Sequence, residues 1–180
     1  MMKYNRREFI KTAGLLSGSL LLMPGCIPIQ GKYRVLTYEE ANCLVALCER
    51  IIPADDDPGA TAAGVIYYID KQLYLRFPEK KELFREGIES LQTWCRTKYN
   101  GNFEELNVEM QNKILQAIEK DEIPQNLRTT PSKKFFYMLI DWTMQGFYSS
   151  PRHGGNKDYM SFKMLKLDYP LLIGQNRYKK

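Results

Sequence analysis

Between Thr37 and Phe147 apolar residues return every three or four positions, in blocks separated by proline, glycine and asparagine. That is the period of an amphipathic helix, whose apolar stripe needs a neighbour to cover it. The first block is Ala41, Leu44, Val45, Cys48, Ile51 and Ile52; Thr37-Tyr38-Glu39-Glu40 ahead of it has the form of a capping box, and Pro53 stops it. A second helix is predicted from about Thr61 to Leu75, burying Ala62, Val65, Ile66, Ile69 and Leu73. A third, from about Glu79 to Lys98, puts Leu83, Phe84, Gly87, Ile88, Leu91, Trp94 and Cys95 on one face, and Tyr99-Asn100-Gly101-Asn102 ends it with turn chemistry. Asn107 can cap a fourth through about Lys120, with Met110, Ile114, Leu115 and Ile118 facing in. Ser132 can cap a fifth around Phe135, Phe136, Leu139, Ile140, Trp142, Thr143 and Phe147. No stretch sustains the alternation of period two that marks a strand. The expected fold is all-α: a single-domain bundle of about five helices with long irregular loops and an irregular C-terminal segment, and 180 residues suit one such core.

The first 25 residues read differently. Two arginines precede an apolar run from Thr12 to Met23, which is far shorter than the roughly 20 residues needed to span a bilayer. Leu15, Leu16, Leu20, Leu21 and Leu22 do not line one helix face. A charged start, a short apolar middle and a small-residue end are the layout of a secretory signal. Asn5-Arg6-Arg7-Glu8-Phe9-Ile10-Lys11 resembles the twin-arginine export signal, which carries proteins already folded. Met23-Pro24-Gly25-Cys26 resembles a bacterial lipobox, with lipid expected on Cys26 and plain cleavage as the alternative. These residues give a domain order of 1–25 signal, 26–36 linker, 37–170 helical domain and 171–180 basic tail, and an exported protein on the periplasmic side of a bacterial membrane. Lys3, Arg6, Arg7 and Lys11 against Glu8 supply +3 of the net charge of +5, so the chain from Cys26 onward is nearly neutral and has no electrostatic footprint for nucleic acid.

Cys43, Cys48 and Cys95 are the thiols beyond the leader. Five residues apart on one helix, Cys43 and Cys48 point away from each other. A Cys48–Cys95 disulfide is open in an oxidising compartment, and so are buried free thiols.

Two polar loops stand out. In Pro53-Ala54-Asp55-Asp56-Asp57-Pro58-Gly59-Ala60 the carboxylates are consecutive, whereas calcium loops place ligands at alternate positions; a solvated loop favouring the next helix's N-terminus is the expectation. Ser149 to Asp158 contains Gly154-Gly155-Asn156, which permits positive φ and a tightly specified shape. The sole histidine, His153, sits in this loop beside Ser149 and Ser150, with no strained nucleophile elbow around them. Neither G-x-G-x-x-G nor a Walker loop occurs, and one histidine is poor material for a transition-metal site. No catalytic, cofactor-binding or metal residue is assigned on this chain.

The leader, "ERIIPADDDPGA" followed by "AGVIYYIDKQL", and the late "GFYSSPRHGGNKDYMSFKMLKLDYP" together resemble the gluconate 2-dehydrogenase subunit 3 family, over roughly Thr37 to Pro170. The resemblance implies the small subunit of a membrane-associated flavin sugar dehydrogenase. A large partner subunit carries FAD and oxidises the substrate, and a cytochrome subunit with haem can follow it. The small subunit has no redox centre and helps the flavin subunit to mature and to leave the cytoplasm on the shared signal. Ser150, His153 and Phe162 depart from the family pattern, which there favours an acid, an aromatic and a tryptophan. The docking surface expected is Pro53, Asp55, Pro58 and Gly59 with Pro151, His153, Gly154, Gly155, Asn156 and Asp158. These loops could instead only shape the bundle. Two other functions remain open on the sequence. One is a stand-alone envelope lipoprotein binding a carbohydrate or envelope component through Tyr148, Tyr159, Phe162 and Tyr169; the other is an enzyme that uses His153.

Overall fold

A computed structural model describes residues 32–120, 122 and 132–167. The expected signal with Arg6, Arg7 and Phe9, the lipidation site Cys26 and the basic tail lie outside the described residues. The chain divides at Lys32, and the second unit begins at Tyr33.

Six α-helices form among the described residues: α1 Tyr38–Ile51, α2 Val65–Lys71, α3 Lys81–Tyr99, α4 Val108–Glu119, α5 Ser132–Tyr148 and α6 Met160–Met164. No strand occurs among them, so the all-α expectation holds. Local chemistry sets their ends. At α1 the Thr37 hydroxyl accepts from the Glu40 amide at 3.1 Å, and the Glu40 carboxylate accepts from the Thr37 amide at 2.8 Å, satisfying two otherwise orphaned donors. Asn107 accepts from the Met110 amide at 2.9 Å to start α4. Asn100, left-handed at φ 57°, stops α3.

α2 departs from expectation. It starts at Val65, not Thr61, because Gly64 adopts φ +68° and the preceding residues form a turn. Beyond Lys71 it widens into a π-helical turn, Gln72–Arg76, closed by the Phe77 amide donating to the Gln72 carbonyl five residues back at 2.8 Å. Pro78 then forces Phe77 out of helical conformation.

α5 packs against α1, α2, α3 and α4, and so forms the hub of the bundle. Its Trp142 stacks on Phe84 of α3 at 4.9 Å between ring centroids, and Phe135 meets Phe84 edge-on at 5.6 Å. Gly87 lets the Phe135 ring lie directly on α3, where any Cβ would collide with it. Leu44, Leu47, Ile69, Ile114 and Leu139 are buried around these rings.

Of the expected linker 26–36, residues 32–36 are described. Tyr33, Arg34, Val35 and Leu36 form a strap over α2, and Tyr33 and Leu36 belong to the core. Asp70, 4 % exposed, accepts the amides of Arg34 at 2.8 Å, Val35 at 2.9 Å and Leu36 at 3.2 Å. Tyr33 stacks on Tyr67 at 5.8 Å and the Arg34 guanidinium lies 5.3 Å over Tyr74, so residues 67, 70 and 74 on one helical face hold the strap. None of the described helices is long and apolar enough to cross a membrane.

Candidate functional site

Glu49, near the end of α1, organises the first polar loop. Its carboxylate accepts the Ala54 amide at 2.9 Å and the Thr61 amide at 2.8 Å, tying both ends of the loop to one side chain. Burial pushes this carboxyl up, but the Thr61 and Ala54 bonds and the Arg50 guanidinium outweigh it and hold it below the ordinary range. Gly59 is buried where a Cβ would meet the Glu49 carboxylate and the backbone of Pro53 and Ala54. Asp55, Asp56 and Asp57 are exposed, and Asp55 accepts the Asp57 amide at 2.9 Å in a local turn. The expectation that the last aspartates favour the next helix is corrected: α2 begins only at Val65, behind Gly64 and with no side-chain cap, and Glu49 serves the loop instead.

The second loop is fastened to α2 and α5. Gly154, at φ +114°, fits against the Tyr67 carbonyl, and Gly155 lies against the Gly146 carbonyl, leaving no room for a side chain at either. Asn156, fully buried and left-handed at φ 46°, donates to the Ser149 carbonyl at 2.8 Å and accepts the Ser161 amide at 2.8 Å. The Lys157 amide reaches the Ala63 carbonyl at 3.0 Å, and the Lys71 ammonium the Arg152 carbonyl at 2.6 Å. Asp158 and Tyr159 are left-handed too, at φ 55° and 58°, conformations that persist only where surroundings over-determine them.

The structure thus brings the two loops together. A pocket of about 240 Å³ lies where they meet, lined by Asp57 and Pro58 from the first, Asp158 from the second, and Met160, Lys163 and Met164 of α6. Of the expected docking residues, Pro53, Asp55 and Asp158 are exposed, and Pro58, Pro151, His153 and Gly154 are half-buried. Gly59, Gly155 and Asn156 are buried within the chain, where they hold the loops in shape. Phe162, expected as an exposed aromatic, is 5 % exposed and packed, while Tyr148 is open at 38 %.

His153 borders a second pocket with Ser149, but the Ser149 hydroxyl has no hydrogen-bond partner, so no serine–histidine bond prepares a nucleophile. The Arg152 guanidinium instead donates to His153 Nε2 at 3.1 Å. Partial burial and the nearby Arg152, Lys71 and Arg76 charges push the imidazole below the ordinary histidine range.

All three thiols are buried and free, the second of the two states that the sequence left open. Cys48 Sγ accepts from the Thr143 hydroxyl at 3.3 Å, so it is already committed to α5. Burial pushes Cys48 and Cys95 up to about 12, and Cys43 well above the usual thiol range. No group of three His, Cys, Asp or Glu among the described residues is placed to hold a metal ion.

Asp70 and the π-turn are features that sequence reasoning missed. The signal for Asp70 was an acid inside an apolar helical run, Val65 to Leu75; nothing local announced the π-turn.

These features define an all-helical protein whose polar side chains mostly fasten loops to helices and present them on one face. The chain belongs to the gluconate 2-dehydrogenase subunit 3 family, whose sequence profile matches residues 38–168. No curated protein and no solved structure matches it significantly. The family is named for a subunit of a dehydrogenase, and membership gives this chain a place among the subunits of such a complex.

Proposed function

We propose that the protein is the non-catalytic small subunit of an exported FAD-dependent sugar or polyol dehydrogenase. It assists maturation of the large flavin subunit and supplies the twin-arginine signal on which both are exported. A cytochrome subunit with haem completes the assembly, and lipid on Cys26 keeps it at the periplasmic membrane surface. Family membership supports the subunit role. The observation that carries the docking part is the convergence of the two polar loops on one face, with buried Gly59, Gly155 and Asn156 fixing their shape in advance. A preformed surface loses little conformational entropy on binding.

The test is affinity purification of the tagged full chain from its native host, with flavin absorbance read on the eluate. A large flavin protein at fixed stoichiometry is expected. Exchanging Arg6 and Arg7 for Lys should leave both proteins in the cytoplasm; recovery of the bare monomer, or export of the partner regardless, would overturn the reading.

A further inference from the structure

The outer side of the strap and of the helix beneath it is aromatic and basic. Tyr38, Tyr67, Tyr74 and Leu75 are between 40 and 59 % exposed. They are not scattered: the Tyr33 ring stacks on Tyr67 at 5.8 Å and meets Tyr38 edge-on at 6.1 Å, so three rings form one row across the strap, α1 and α2. Arg34 covers Tyr74 at 5.3 Å, and Leu75 follows Tyr74 in the π-turn. Tyr67, Lys71, Tyr74 and Leu75 recur at helical spacing, so they share the side of α2 and its π-turn that faces away from the buried Ile66, Ile69 and Leu73.

Positive charge gathers on the same side. Residues 33–38 and 65–76 contain Arg34, Lys71 and Arg76 against Asp70 alone, a net +2. From Cys26 onward the chain holds 22 basic and 20 acidic residues, also +2, so these two segments carry an excess equal to that of the whole. Asp70 is buried beneath the strap, which leaves only cations of these segments toward solvent. Arg152, whose carbonyl holds the Lys71 ammonium, adds an exposed cation at the edge. Tyrosines, with an apolar body and a polar tip, settle at the headgroup level of a bilayer, and anionic headgroups attract basic side chains beside them. The chain's path points the same way. Cys26, the expected lipidation site, precedes Tyr33 by seven residues, at most about 25 Å of chain. A bilayer that holds an acyl chain at Cys26 is therefore within reach of this face.

We propose that this face lies against an anionic bilayer, with Tyr38, Tyr67 and Tyr74 at headgroup depth, Leu75 below them, and Arg34 and Arg76 on lipid phosphates. The proposal rests on the membrane-surface reading above and deepens it by naming the side that meets the lipid; the face has affinity of its own without an acyl group.

The full chain carrying Cys26→Ser has only enclosed thiols left. A nitroxide is then placed at Leu75→Cys or, outside the face, at Val108→Cys on α4, which is 54 % exposed. Each chain is mixed with phosphatidylcholine vesicles with and without phosphatidylglycerol, and electron paramagnetic resonance reads collisions of the label with oxygen and with an aqueous nickel chelate. With phosphatidylglycerol, the Leu75→Cys label should gain oxygen and lose nickel collisions severalfold, while the Val108→Cys label stays in water. Immersion should weaken without phosphatidylglycerol, and Arg34→Gln together with Arg76→Gln should return the Leu75→Cys label toward water. Melting temperatures matching the unlabelled parent exclude misfolding as the cause of either result. An aqueous Leu75→Cys label in the presence of the vesicles, equal immersion of the two labels, or immersion unchanged by the double arginine variant would overturn the face. A Leu75→Cys label covered only in the co-purified flavin complex would assign the face to a protein partner instead. Because Cys26 is replaced throughout, a host that leaves Cys26 without lipid would contradict the anchoring and not this result.

Discussion

Replacing Asp70 by Ala removes the single acceptor that holds three consecutive amides of the strap. Hydrogen bonds to a charged group are each worth about 1.5–3 kcal/mol net. Not all three count fully. Arg34 is exposed and its amide can turn to water; Val35 is half-buried, and Leu36 is buried. Removing a buried carboxylate also recovers part of its desolvation cost. The expected loss is therefore about 2–4 kcal/mol, a large share of the roughly 5–15 kcal/mol that stabilises a typical domain. Asn at the same position gives a sharper test. Val35 and Leu36 both donate to Oδ1, which an amide can reproduce, whereas Arg34 donates to Oδ2, where the amide would present its own N–H. Asp70→Asn should thus cost about half as much, near 1–2 kcal/mol. Urea unfolding with linear extrapolation measures both, and amide exchange at residues 34–36 should quicken selectively. A loss below about 1 kcal/mol for Asp70→Ala, or an equal loss for the two variants, would refute the clasp as the fastening of the strap.

Three further outcomes are expected. Asn156→Ala leaves the Ser149 carbonyl and Ser161 amide without their partner and keeps a left-handed backbone that Ala tolerates poorly, so stability should fall by about 2–4 kcal/mol in urea. Cys43, Cys48 and Cys95 should resist iodoacetamide in the native Cys26→Ser chain at pH 8 and react together on unfolding; fast alkylation of any one before unfolding would contradict their burial. Glu49 is held below the unfolded carboxylate range, so its contribution is complete above the unfolded value near 4.3 and fades as pH falls through the folded one. The difference in urea midpoint between wild type and Glu49→Gln should accordingly shrink in acid, and a difference that grows there would show the sign to be wrong.

What could be read from the chain was whatever is decided within a few residues. Thr37 with Glu40, Asn107, Pro53 and Asn100 place helix ends through local bonds or forbidden conformations, and the structure puts those ends where the residues imply. The late start of α2 was hidden because Gly64 is compatible with a helix and only its surroundings drive it to φ +68°. The strap was hidden for a different reason. Its amides meet an acceptor 34 to 36 positions away, and no pattern near Tyr33 announces Asp70. In the loops, turn-forming residues could be recognised but their exposure could not. Asn156 and Asp158 look alike in sequence, yet one fills the inside of its loop and the other faces outward. Docking residues and shaping residues separate only once burial is known.

The three enclosed thiols set an order of events in time. Once α1, α3 and α5 have closed around Cys43, Cys48 and Cys95, an oxidant outside meets a surface from which all three are hidden. In the open chain the same sulfurs are exposed to any oxidant present. Closure of the core is therefore the step after which all three sulfurs lie beyond an oxidant's reach.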